Sequence, residues 1–282
     1  MGKQPSMLDF SQLADNYHNS DARLFLLDWD GTLTPIVGDP EVAVPTPADI
    51  EVLERLSSNP KNDIWIISGR NSAFLQKHLG CLGSVGLSAE HGAFVRLANH
   101  TDWETMSPWA DITWQETIMA IFEDYAAKTQ GSWIERKSIA ITWHYRNALP
   151  DIGLRNSKEC KDQIEQCIVQ MPSNLEVING KMCLEVRPRD LNKGVIVRSI
   201  IMSYGGRVAP PDFVLCMGDD VTDEDMFKAI RSSSLSPERC FTVSVGHGSR
   251  PTTASWSLPE PADVMDLLGK LAAAPTKVHS EF

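Results

Sequence analysis

No part of this 282-residue chain approaches the roughly 18 uninterrupted apolar residues that a membrane span requires. The opening stretch MGKQPSMLDFSQLADNYHNSDAR carries no apolar run of the kind a secretory signal needs, so a cytoplasmic location is expected. Its Met-Gly start with Ser6 has the outline of an acylation signal, but Pro5 stands beside that serine and no second membrane signal accompanies it. Basic residues are also in short supply. The 26 Lys and Arg against 37 Asp and Glu give a formal charge of -11, which leaves no general basic surface for nucleic acid or an anionic bilayer. Neither partner is expected, and any bound phosphate has to be met locally, by a few cations or a metal. CxxC pairs are absent too. The six cysteines (Cys81, Cys160, Cys167, Cys183, Cys216, Cys240) stand singly, several in apolar segments such as FVLCMGDD, and are expected to be reduced and mostly buried. There are no internal repeats and no low-complexity tracts.

What is present is an ordinary globular composition, 42% hydrophobic and 22% charged, with length enough for a large core. The first part alternates strand-like and helix-like segments: RLFLLDWD, TPADIEVLERLSSNP, DIWIISG, a helix over about 71–79, then SVGLSAEHG. Thr46 before Pro47, with Asp49 in the first turn, reads as a helix start. This is the rhythm of a parallel sheet with crossover helices. Beyond about residue 105 the pattern changes to helix, two strands with a turn near Lys137, helix, and two strands around an expected tight turn at Asn179–Gly180. From NKGVIVRSIIMSYGG the first rhythm resumes. The fold class is therefore α/β: a doubly wound, Rossmann-like parallel-sheet core over residues 1–108 and 187–282, interrupted by an inserted α+β cap over 109–186. Both termini are expected to be loosely ordered.

In open α/β sheets the chemistry sits at the carboxyl ends of the strands. Three such ends, LLDWDGT, IISGR and LCMGDDVTDED, would bring Asp28, Asp30, Ser68, Arg70, Asp219, Asp220 and Asp223 to one rim. Plainer readings exist for each. DGT forms turns, and Thr222 with Asp225 fits a helix capping box that accounts for Asp223 to Asp225. Turns and caps alone explain neither the fully apolar lead-in to Asp28 nor a second acid cluster at a remote strand end. Carboxylates crowded at one rim are tolerable when a hard dication lies among them.

DWDGT after a hydrophobic run, ISGR, Lys193 in LNKG and GDDVTDE resemble the four motifs of the haloacid dehalogenase-like (HAD) phosphatases. LSAEHGAF, NGKMCLEVRP and GDDVTDEDMF are similar, more narrowly, to the trehalose-6-phosphate phosphatases, over about Arg23 to Gly246. The resemblance implies Mg²⁺-dependent hydrolysis of trehalose 6-phosphate to trehalose and phosphate. It makes Asp28 the nucleophile and Asp30 the general acid and then base. Ser68 and Lys193 become contacts to the transferring phosphoryl group, and the metal is held by Asp28, the Asp30 backbone carbonyl and Asp219, with Asp220 and Asp223 behind them. Without the motif, NKG reads as an exposed helix start.

For the sugar, the resemblance points to Glu135, Arg146, Lys181 and Glu185 in the cap, with Arg70 either on phosphate or paired with a neighbouring acid. The alternative for the four cap residues is cross-strand ion pairing on a solvated face. Lys181 and Glu185, four apart, are expected to share a strand face. His91 lacks metal-ligand spacing and reads as a core residue or a brace for its loop. Lys193, Arg70, Arg146 and Lys181 are expected to make the cleft locally positive. Two rival readings are kept: another capped HAD sugar phosphatase or phosphomutase, and a catalytically silent sugar-phosphate-binding regulatory domain. The implied partner is a trehalose-6-phosphate synthase subunit or a fused synthase-like domain.

Overall fold

A computed structural model describes residues 4–38, 42–106, 111–204, 209–246 and 251–273. The chain divides into two compact units, Met1–Glu104 with Lys193–Phe282, and Thr105–Asn192. The expected boundary at 108/109 and the expected loose C-terminus, from 274 on, lie outside the described residues. The other expected boundary, at 186/187, falls within a strand that runs on to Pro188.

In chain order the elements begin with β1 (Ser6–Met7), α1 (Phe10–His18), β2 (Arg23–Leu27), α2 (Pro47–Ser57), β3 (Asn62–Ile67), α3 (Ser72–Leu79), β4 (Val85–Ala89), β5 (Phe94–Arg96) and β6 (Glu104–Thr105). The smaller unit adds α4 (Trp114–Lys128), β7 (Trp133–Arg136), β8 (Ile141–His144), α5 (Pro150–Ile168), β9 (Leu175–Gly180) and β10 (Cys183–Pro188). The chain then continues through α6 (Lys193–Ser203), β11 (Phe213–Gly218), α7 (Glu224–Arg231), β12 (Cys240–Val245), β13 (Trp256–Leu258) and α8 (Pro261–Ala273).

The central strand β2, RLFLL, is buried at every position because both faces of its sheet are covered. Phe25 and Leu27 join a core built with α1, α2, α3 and α8, through residues such as Leu13, Leu53, Leu75 and Leu268. Leu24 and Leu26 point the other way, into a core with Ile196 and Val197 of α6 and Met226 and Phe227 of α7. The sheet is ordered β1-β13-β12-β11-β2-β3-β4-β5-β6. It is parallel from β1 to β4, with β5 turned antiparallel against β4. The order reverses between β2 and β11, the point at which an open α/β sheet opens a crevice at its strand ends. Order at the N-terminus begins earlier than expected: Ser6 and Met7 pair in parallel with Trp256 and Ser257. The helix start at Thr46 is as read, a capping box in which Thr46 Oγ1 accepts from the Asp49 N–H and Asp49 accepts from the Thr46 N–H.

The smaller unit is a four-stranded antiparallel sheet ordered β7-β8-β10-β9. One face packs on α4 and α5 through Ile118, Phe122, Trp143, Cys160, Ile164, Leu184 and Val186. The other face carries the cross-strand row Glu135, Thr142, Glu185 and Ile178. The hairpin differs from the expected Asn179–Gly180 turn: both residues end β9, and the two-residue loop is Lys181–Met182, with Met182 at φ +59°. This register gives six opposed pairs and sets Arg187 against Glu176, whose carboxylate accepts from Nε at 3.1 Å. A turn two residues earlier would have placed Arg187 opposite Pro172, outside any strand. Lys181 therefore lies in the loop and does not share a strand face with Glu185.

Candidate active site

Asp28 follows the last residue of β2 while its N–H still donates to the Met217 carbonyl of β11 at 3.0 Å, which fixes its backbone to two strands at once. Its side chain is only 5% exposed. One carboxylate oxygen accepts from Lys193 Nζ at 2.5 Å and the other from Thr32 Oγ1 at 2.9 Å. Lys193 opens α6 and is 2% exposed; its ammonium also reaches Asp223 Oδ1 at 2.7 Å. The second Asp223 oxygen accepts from the N–H groups of Asp219 and Asp220, both at 2.8 Å. Ligand oxygens of Asp28, Asp219 and Asp223, all three residues buried, lie within 4.8 Å of one another. At Gly31, φ is +87° and a Cβ would stand 2.1 Å from Asp219 Oδ2, so only glycine lets the Asp28 loop approach this acid.

Burial, reinforced by the charges of Asp223 and Asp219, pushes the Asp28 carboxyl well above the usual range against the pull of Lys193. For Lys193 burial works toward the neutral amine, but Asp223 and Asp28 outweigh it and raise its affinity for the proton, so it stays an ammonium. The group thus holds three carboxylates to one ammonium, an all-oxygen donor set of the kind that suits a hard dication.

The acidic loop is capped differently from the sequence reading. Asp220 and Asp223 form the capping box of a single 3-10 turn over Val221–Asp223, and Thr222 with Asp225 does not. Asp220 is therefore the cap. Asp223, expected behind the metal ligands, stands fully buried inside the carboxylate group.

Ser68, fully buried, follows β3 and accepts at Oγ from the Arg70 N–H at 3.1 Å. Arg70 makes a two-point contact with Asp30, Nε to Oδ2 at 2.7 Å and Nη2 to Oδ1 at 2.6 Å, and its guanidinium carbon lies 4.3 Å from the centre of the Phe74 ring. Of the four cations expected to make the cleft positive, Lys193 and Arg70 each face carboxylates. His91 is buried, and its backbone N–H donates to the Ser68 carbonyl at 2.9 Å, while the Glu90 backbone N–H donates to the Arg70 carbonyl at 2.9 Å. Glu90 and His91 both hold positive φ, +45° and +58°, a conformation that costs non-glycine residues about 1–3 kcal/mol each.

In the smaller unit, Glu185 is 7% exposed and accepts at Oε2 from Thr142 Oγ1 at 3.0 Å and Lys137 Nζ at 3.1 Å. Glu135 lies 2.9 Å from His144 Nε2, and the His144 ring stacks on Trp133 at 4.7 Å. Burial alone would raise the Glu135 carboxyl, but the His144 hydrogen bond and the Lys137 charge hold it below its ordinary value. Lys137, although buried, is pushed up by Glu185 and Glu135. These side chains do pair across strands, yet the face is buried at Thr142, His144, Glu185 and Arg187 rather than solvated. Arg146 follows β8, half-buried, and Lys181 is exposed. Sequence reading missed Thr32, Lys137, Thr142 and His144. Of these, Lys137 was within reach, since it lies two residues after Glu135 and extended chain returns to the same face at that spacing.

An acid pair leaves the central strand of this doubly wound sheet where the strand order reverses, with a helix-borne lysine and an acidic loop beside it, and the fold is that of haloacid dehalogenase-like proteins. A haloacid dehalogenase-like hydrolase from Bacteroides thetaiotaomicron shares the fold, with a TM-score of 0.60 at 13% identity over 89% of this chain and 99% of that one. More narrowly, the chain belongs to the trehalose-phosphatase family, whose model matches residues 26–262. It is 42% identical to a trehalose-phosphatase of Schizosaccharomyces pombe over 257 residues, 91% of this chain and 31% of that protein. The C-terminal domain of a C. albicans trehalose-6-phosphate phosphatase superposes with a TM-score of 0.89 at 42% identity, covering 95% of this chain and 98% of that one. The chain spans about a third of the length of the curated relatives it matches.

Proposed function

We propose that the protein is a Mg²⁺-dependent phosphatase that hydrolyses trehalose 6-phosphate to trehalose and phosphate, the last step of trehalose biosynthesis, through an aspartyl-phosphate on Asp28. The observation that carries this reading is the Asp28 carboxylate itself, buried at the end of the central strand between Lys193 and Thr32. One of its oxygens attacks phosphorus as the bond from phosphorus to the sugar oxygen breaks. Asp30 gives a proton to that leaving oxygen. In the second half Asp30 takes a proton from water, which attacks the same phosphorus and releases Asp28 and inorganic phosphate. Two of the three Lys193 N–H donors engage Asp28 and Asp223, and the third serves a phosphoryl oxygen together with Ser68.

Charge makes the case for the metal. Asp28, Asp30, Asp219 and Asp223 against Lys193 and Arg70 leave an excess of two negative charges, unfavourable for a phosphate dianion. Asp28, Asp219 and the Asp30 carbonyl, with Asp223 alongside, would hold Mg²⁺, which supplies the positive charge that keeps Asp28 ionised and offsets its repulsion from phosphate. Residues 1–108 and 187–282 form the phosphatase core in this reading, and residues 109–186 the cap that selects substrate. Glu135, Arg146, Lys181 and Glu185 read the disaccharide hydroxyls. Buried groups such as Glu185 reject a smaller sugar by being left without its hydrogen bonds. No helix among the described residues is long and apolar enough to cross a membrane. We place the protein in the cytoplasm, partnered by a trehalose-6-phosphate synthase subunit or a fused synthase-like domain; support for that partner comes from a Dictyostelium discoideum relative named as an alpha,alpha-trehalose-phosphate synthase, of which this chain matches 32%.

The test is phosphate release from trehalose 6-phosphate, glucose 6-phosphate and sucrose 6-phosphate, with Mg²⁺ and with chelator. Turnover selective for trehalose 6-phosphate, lost with chelator and lost in Asp28→Asn, is expected. Equal turnover of all three would point to a general sugar phosphatase, and no turnover to a silent binding domain.

A further inference from the structure

We propose that Arg70 is the positioning residue for Asp30, and that the left-handed pair Glu90–His91 is the mount that holds Arg70 in place. The inference rests on the reading of Asp30 as general acid and base, and it departs from the reading of Arg70 as a phosphate ligand. The Asp30 side chain is 35% exposed, on a loop held by the Gly31 N–H to Thr34 carbonyl contact at 2.7 Å. A carboxylate in that setting has several rotamers open to it, and a planar guanidinium with two parallel N–H donors selects one. Arg70 is itself fixed at three points. Its guanidinium lies over the Phe74 ring, its backbone N–H is tied to Ser68 Oγ, and its backbone carbonyl accepts from the Glu90 N–H.

The mount explains two further features. Glu90 and His91 are buried non-glycine residues in succession at positive φ, and both of their amides are spent on the Ser68–Arg70 loop. The His91 imidazole lies so close over Gly69 that a Cβ there would stand 2.6 Å from Cε1. Backbone strain, a ring and a glycine thus converge on the one residue between Ser68 and Arg70. In the transfer step Asp30 turns one oxygen to the leaving group while the other stays on Arg70. The proton passes from that carboxyl to the sugar oxygen, which keeps the electron pair of the broken bond to phosphorus.

The test compares kcat/KM, which reports steps through phosphoryl transfer to Asp28, for trehalose 6-phosphate and p-nitrophenyl phosphate. The sugar needs a proton to leave, and p-nitrophenolate does not. Arg70→Gln is expected to lower kcat/KM about tenfold or more for the sugar phosphate and less than about threefold for the aryl phosphate, within the range a general acid contributes. Arg70→Lys, which keeps the charge but not the two-point fork, is expected to fall between and carries the same comparison if Arg70→Gln does not fold. Equal losses on both substrates would make Arg70 a phosphoryl contact or a structural residue, and no loss on either would remove it from the reaction; each overturns the proposal. Asp30→Asn run alongside separates the two readings. If it too loses equally on both substrates, the acid role of Asp30 fails and the proposal falls with it. If it is selective while Arg70→Gln is not, only the positioning role fails.

Discussion

Lys193 shows how much one buried charge can hold together. Among the described residues it is the one ammonium set against Asp28 and Asp223, and it opposes the burial and neighbouring charge that already raise the Asp28 carboxyl. Lys193→Met leaves those carboxylates uncompensated, a change that costs about 3–5 kcal/mol where a buried pair loses one partner. The pH dependence has a definite sign. A carboxyl whose folded value is raised favours the fold below its unfolded value and loses that contribution as pH rises through the folded one. Urea unfolding of Lys193→Met in chelator is therefore expected to show a deficit at pH 8 that narrows toward pH 5. A constant deficit across that range would mean that packing of the lysine stem, not charge, is what was lost. At this scale the sequence was legible where chemistry and fold ask for the same residue. Asp28, Ser68, Lys193 and Asp219 sit at strand ends or helix starts within recognisable motifs. Thr32 and Thr142 were not legible, because a hydroxyl that serves one carboxylate leaves no spacing to read.

Elements with local signals were read correctly, and those decided by distant partners were not. Thr46, Pro47 and Asp49 carry the whole of their helix start, whereas DDVTDED offers an acid at both possible box spacings. Asp220 with Asp223 wins because the second Asp223 oxygen also takes the Asp219 amide, a choice made by the folded loop. Likewise the hairpin slid two residues past Asn179–Gly180 once Arg187 had Glu176 to meet. Two-residue strands such as β1 and β6 leave no periodicity at all. The β3–α3 loop supplies the prediction at this scale. Gly69→Ala drives a methyl into the His91 ring and is expected to lower kcat/KM for trehalose 6-phosphate by about tenfold. His91→Ala in the same chain removes the obstacle, so the double variant should recover most of that loss, as contacting residues couple. Additive losses would show that the glycine is needed for its backbone and not for the ring above it.

For the whole molecule the puzzle is charge. A chain of formal charge -11 would meet a phosphate dianion at a site that is itself in negative excess, so attraction has to come from something bound. Screening by salt weakens all of these repulsions together, whereas a dication held by Asp28, Asp219 and Asp223 relieves only those of the site. The two effects can be separated by heat. Ligand binding at 100 times Kd stabilises a fold by about 2.7 kcal/mol, which is worth several degrees in Tm for a protein of this size. Mg²⁺ is therefore expected to raise Tm by several degrees over NaCl at matched ionic strength, and Asp219→Asn to lose most of that rise. The gain should be local. Slowed amide exchange is expected at the ends of β2 and β11 and in the Val221–Asp223 turn, where the proposed ligands lie, and not in α4 or α5 of the smaller unit. A rise that survives Asp219→Asn, or protection spread evenly over both units, would be general relief of an acidic surface. The carboxylate group would then have to tolerate its negative excess without a metal.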